Sequence, residues 1–189
     1  MKKRVSVSSS ALAWKHSSRL NNAHIPASVL TWLIDPASLT QRVMVACHGK
    51  FRVEVISQHR GSPNLDECQA LNIQPGQIAR IREVRLLCNN VAWVYARTII
   101  PNSSLAGPVR RLRLLGNKPL GAVLFADKTM QRGSLEIAAL TPQHQLYRHA
   151  IPTTRSRQPV IWGRRSVFYL SGKPLLVSEF FLPDIPVHP

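Results

Sequence analysis

Residues Trp162–Pro183 read "WGRRSVFYLSGKPLLVSEFFLP", two runs rich in aromatic and branched residues around a turn, which is the pattern of a β-hairpin. Its second strand carries one acid, Glu179, among leucines, a valine and phenylalanines. Side chains two apart on a strand project to the same side, so Glu179 shares its face with Leu175, Val177 and Phe181. The carboxylate thus points where a core is expected.

The next hairpin back shows the same conflict. "ARIREVRLLC" and "VAWVYARTIIP" flank Asn89 and Asn90, residues that tolerate the left-handed conformations of a tight turn. Alternation puts Arg82 beside Val84 and Leu86, and Arg97 beside Trp93, Tyr95 and Ile99. An unpaired charge on an apolar face costs several kcal/mol, so each of these groups needs a partner or a ligand. One acid and two arginines suit a ligand that carries carboxylates, because guanidinium grips a carboxylate through two parallel charge-assisted hydrogen bonds.

Further out, "FRVEVISQ" alternates as a half-buried strand and "SLEIAAL" reads as another. "PASVLTWLID" has Val29, Leu30, Leu33 and Ile34 at helical spacing, and a second short helix follows from Ser38. In "GPVRRLRLLGNKPLGAVLF", Val109, Leu112 and Leu115 share a helical face, Gly116 sits at a C-cap, and Pro119 restarts a helix whose first N–H groups, around Leu120, are free. Strands joined mostly by hairpins, with helices against them, give the α+β class with an antiparallel sheet. Residues 1–22 read as a flexible basic tail, 23–189 as one domain, and Thr141–Pro159 as an exposed loop.

Composition narrows the chemistry. The chain has 189 residues, with 25 Lys+Arg against 9 Asp+Glu, a formal net charge of +16. That balance favours anionic partners. No zinc spacing, RNP-like motif or helix-turn-helix accompanies it, so no specific nucleic-acid partner is expected. The seven histidines show no metal-ligand spacing, and no nucleophile elbow or phosphate loop occurs. Cys47, Cys68 and Cys88 are odd in number and read as reduced thiols; with no secretory signal and no long apolar run, a soluble cytoplasmic protein is expected.

The motifs "RE" at Arg82–Glu83 followed by Trp93, "RTIIPNSSLAGP", "LGNKPLGAVLF", "WGRRS" and "LSGKPLLVSEFFLP" resemble the chorismate pyruvate-lyase family, over roughly residues 25 to 186. The resemblance implies a six-stranded antiparallel sheet with helical flaps that seal in the ligand. It implies cleavage of chorismate to 4-hydroxybenzoate and pyruvate, an early step of ubiquinone biosynthesis, without metal or cofactor. It places the ligand-contacting arginine on Arg82, the substrate-contacting glutamate on Glu179, backbone contacts on Leu120 and Leu39, and a second arginine on Arg97. The family usually has methionine where Leu39 stands, and 141–159 is longer than expected for it. A monomer with weak attraction to anionic membrane is expected. The rival reading is a non-catalytic effector domain of a transcription regulator, which shares this fold but follows a DNA-binding domain; only about 25 residues precede the resemblance here.

Overall fold

The computed structural model describes residues 11–19, 24–151 and 159–187. Strands β1 (Lys15–His16), β2 (Phe51–Gly61), β3 (Ala79–Cys88), β4 (Val91–Pro101), β5 (Gln131–Arg132), β6 (Glu136–Leu140), β7 (Ile161–Leu170) and β8 (Lys173–Phe181) form one antiparallel sheet. Its order is β1-β6-β7-β8-β4-β3-β2, with β5 also against β7. Six strands were expected, and eight are present among the described residues. The two extra ones, β1 and β5, have two residues each, too few to show an alternation.

The turns carry the predicted chemistry. Asn89 and Asn90 between β3 and β4 have φ of 49° and 65°, and Ser171 and Gly172 between β7 and β8 have 48° and 73°. The turn at Ser171–Gly172 fixes the β7–β8 pairing, whereas between β3 and β4 a bulge at Leu86–Leu87 shifts the register by one residue from what the turn alone would set. Arg82 stands opposite Thr98, Thr98 opposite Val177, Ala96 opposite Glu179, and Glu179 opposite Arg164. Opposed residues project to the same side, so these share one face, while Glu83, Arg97, Ser178 and Arg165 share the other.

Helices cover both faces. On the first, α1 (Ala27–Ile34) and α2 (Leu39–Ala46) bury Trp32, Leu33 and Val43 against Val84, Leu86 and Val94. Beside them, a 3-10 helix (Gly107–Leu114) and α4 (Leu120–Phe125) pack Leu112, Leu115 and Leu124 on Phe168, Leu175 and Val177. Val109, Leu112 and Leu115 share the expected face because a 3-10 helix repeats every three residues. Gly116 follows with φ 51°, as a C-cap glycine does. On the second face lie α3 (Leu65–Leu71) and α5 (Gln145–Ala150), the latter burying Tyr147 and Ala150 beside Tyr95 and Phe180. Gly163 is required here: a Cβ on it would lie 2.3 Å from the Phe180 ring.

Three expectations are corrected. The tail is not frayed throughout: Lys15 and His16 pair with β6, and Trp14 packs with Phe180 while donating to Asp66 Oδ2 at 3.1 Å. Residues 1–10 and 20–22 lie outside the described residues. The supposed loop 141–159 contains α5, whose apolar positions are too few to stand out among Gln, His and Arg; residues 152–158 lie outside the described residues. Cys47 and Cys88 are disulfide-bonded rather than reduced, and only Cys68 is a free, buried thiol. Their 41-residue separation hides a contact that the α2–β3 packing creates.

Candidate active site

Arg82 is 3% exposed in the middle of the first face. Its Nη1 donates to Gly116 O at 2.8 Å and Gln58 Oε1 at 3.2 Å, and its Nη2 to Lys118 O at 3.2 Å. The left-handed Gly116 turns these carbonyls inward. No carboxylate among the described residues pairs with Arg82. Burial pushes its pKa below the usual arginine range, so the charge is held against an unfavourable environment.

Glu179 lies two strands away, about 10 Å across the sheet, with its side chain 21% exposed. Arg164 Nε donates to its Oε2 at 2.7 Å. Arg164 is itself 2% exposed, and its Nη1 donates to Trp32 O at 2.9 Å and Asp35 O at 2.6 Å. A cation at these carbonyls satisfies acceptors that the end of α1 leaves open. Sequence reasoning missed Arg164. The signal was present: the turn at Ser171–Gly172 pairs Leu170 with Lys173, and counting back places 164 opposite 179.

The space between Arg82 and Glu179 is roofed by Leu39 and Thr40 of α2 and by Leu120, Gly121 and Phe125 of α4. Leu39 and Leu120 each open a helix, so their N–H groups lack an intrahelical acceptor. The two covers meet at Gly121, where a Cβ would lie 2.8 Å from Thr40 Oγ1. Only hydrogen fits between them.

Arg97 is not in this chamber. It pairs with Glu83 and Ser178 and therefore projects to the opposite face. There its Nε and Nη2 donate to Glu67 at 2.7 and 3.1 Å, and its Nη1 donates to Glu83 Oε1 at 2.9 Å. Burial works to lower its pKa, but the bonds and charges of Glu67 and Glu83 outweigh that and raise it. Glu83 also accepts from Tyr95 at 2.6 Å and Ser57 at 2.8 Å. Burial alone would raise the Glu83 pKa; these hydrogen bonds, with the Arg97 charge and His149, hold it at about 2. The parity of β3 against β4, one register step the sequence does not show, separates Arg97 from Arg82.

The roomier recess also lies on that second face, about 390 Å³ beside Arg97, Asp66 and His149, against about 50 Å³ in the chamber. Size does not decide between them, because every buried charge at the larger recess has a protein partner. Among the described residues no three His, Cys, Asp or Glu side chains converge as a metal set.

The family model described as "Chorismate lyase" matches residues 8–187. The chain belongs to the chorismate lyase family. A probable chorismate pyruvate-lyase of Methylococcus capsulatus is 39% identical over 82% of this chain and 94% of its own length. One from Azoarcus sp. is 42% identical over 82% of this chain and 83% of its own. Among solved structures, a GntR-family transcriptional regulator from Bacillus cereus aligns with TM-score 0.53 at 11% identity, covering 72% of this chain and 94% of that one. That likeness shows a shared fold only, as the α+β expectation requires.

Proposed function

We propose that the protein is a chorismate pyruvate-lyase whose chamber lies between Arg82 and Glu179. Family membership and the two-ended polarity of the chamber support this reading. The observation that carries it is Arg82, buried to 3% exposure and without a carboxylate partner among the described residues. Such a group calls for an anion from outside.

In this reading the ring carboxylate of chorismate meets Arg82 and the amides of Leu120 and Leu39, and the C4 hydroxyl end faces Glu179. The reaction removes the C4 hydrogen and breaks the C3 ether bond. The enolpyruvyl methylene gains a hydrogen to become the methyl of pyruvate, and the ring becomes aromatic 4-hydroxybenzoate. Aromatisation supplies much of the driving force, so orientation and steadying of developing charge are the protein's main tasks. Glu179, clamped by Arg164, acts at the C4 end by relaying a proton or by holding the hydroxyl.

Purified protein incubated with chorismate should yield 4-hydroxybenzoate and pyruvate in equal amounts. Binding of 4-hydroxybenzoate without turnover would point to the non-catalytic, regulator-type reading instead. Variants Arg82→Ala and Glu179→Gln should lose most turnover while remaining folded.

We also propose a cytoplasmic monomer serving ubiquinone synthesis, drawn weakly to anionic membrane by its +16 charge. No helix among the described residues is long and apolar enough to cross a membrane. Vesicle sedimentation tests the attraction: equal binding to neutral and anionic lipid would rule out the electrostatic account.

A further inference from the structure

We propose that Arg132, rather than Arg97, is the second arginine of the site and holds the second carboxylate of the substrate, the one on the enolpyruvyl side chain. This rests on the chorismate reading above. Arg132 stands opposite Phe168 on β7, so it projects to the chamber face. Its guanidinium lies 5.4 Å over the Phe168 ring, and Phe168 lines the chamber. Its Nε donates to Ser166 Oγ at 3.1 Å and its Nη1 to Pro36 O at 3.0 Å. Its Nη2 has no protein partner among the described residues.

A charge census gives the assignment its force. Arg82 and Glu179 line the chamber, and beside it lie Arg132 over Phe168, Arg164 on Glu179, and the pair that Arg42 of α2 makes with Asp35 at the end of α1. Asp35 is taken by Arg42, and Glu179 by Arg164. Among the described residues, no acid pairs with Arg82 or Arg132. An uncompensated guanidinium inside the chamber, on Arg82, and a second at its Phe168 edge, on Arg132, match a ligand with two carboxylates. Burial first, and then the neighbouring Arg164, lowers the Arg132 pKa, with Glu179 offsetting only part of it. An arriving carboxylate relieves that strain.

The placement also fits the ligand's chemistry. The enolpyruvyl ether leaves C3, next to the C4 hydroxyl that faces Glu179, while the ring carboxylate sits across the ring at the Arg82 end. Arg132 is on β5 at the Glu179 side of the sheet, beyond β7, whereas Arg82 is on β3. A carboxylate carried beside C4 therefore lies on Arg132's side.

The test uses two ligands that differ in the group at issue, since 4-hydroxybenzoate keeps the ring carboxylate and lacks the enolpyruvyl one. In Arg132→Gln, kcat/KM for chorismate should fall roughly 10- to 100-fold, the loss of one charge-assisted bond, while Kd for 4-hydroxybenzoate changes less than about twofold. Arg132→Lys should recover part of the loss, and it serves as the test variant if the glutamine form does not fold. Equal weakening of both ligands would show that Arg132 only braces the α1–α2 corner through Pro36, and unchanged kcat/KM would equally overturn the assignment. Wild-type protein that binds 4-hydroxybenzoate but releases no pyruvate from chorismate would sink the chorismate reading first, before any variant is compared.

Discussion

Both faces of the sheet bury charges, and they settle them differently. On the second face Arg97 is closed by Glu67 and Glu83, Glu83 by Tyr95 and Ser57, and Arg165 by Asp66 and Glu136 at 3.0 and 2.7 Å. On the chamber face Arg164 is closed by Glu179, but Arg82 bonds only neutral oxygens. A buried network that closes on itself fixes a structure, whereas one left open by a charge awaits a partner from solution.

The largest effect that separates the faces is on stability. Arg97→Ala leaves Glu67 and Glu83 buried beside each other and should cost roughly 3–5 kcal/mol in urea unfolding, with little change in chorismate kcat/KM for the folded fraction. Loss of chorismate affinity at unchanged stability would break the contrast. The next effect is on acid stability. The folded-state pKa of Glu83, about 2, is depressed below its ordinary 4.5, so its contribution is complete above about pH 4.5 and is lost as pH falls toward 2. That amounts to roughly 3 kcal/mol, and Glu83→Gln should flatten this part of the stability profile.

On the open face, Arg82→Ala should weaken 4-hydroxybenzoate binding roughly 10- to 100-fold by titration calorimetry, at a stability cost of only about 1–2 kcal/mol from the freed carbonyls. A cost as large as that of Arg97→Ala would mean that Arg82 is structural too. The smallest effect sharpens the backbone assignment: Leu39→Met keeps the N–H at the start of α2 and should change ligand affinity less than about twofold.

Much of this was legible in the sequence because strand alternation and turn chemistry are local. The "SG" and "NN" turns, the face of Glu179 and the face of Arg82 follow from residues next to one another. The placement of Leu39 and Leu120 at helix starts followed from Ser38 and Pro119. What failed depends on distant pairing. Alternation says that Arg97 faces one side of its own strand, but only the β3–β4 register says which side that is relative to Arg82. The Cys47–Cys88 bond and the hold of Arg132 on Pro36, 96 residues away, are likewise created by packing. Residues 15–16 and 145–150 went unread because segments that short take their structure from neighbours.

The two covers are fastened by different means. The far end of α2 is sewn to the sheet covalently at Cys47–Cys88, while the turn leading into α4 is pegged by the Arg82 bonds to Gly116 and Lys118. Lifting the pegged rim forfeits a few hydrogen bonds of about 1 kcal/mol each, but freeing the sewn rim takes a chemical reduction. The cover over the chamber is therefore lopsided, tied on the α2 side by a covalent bond and on the α4 side by hydrogen bonds to the guanidinium proposed to meet the ligand.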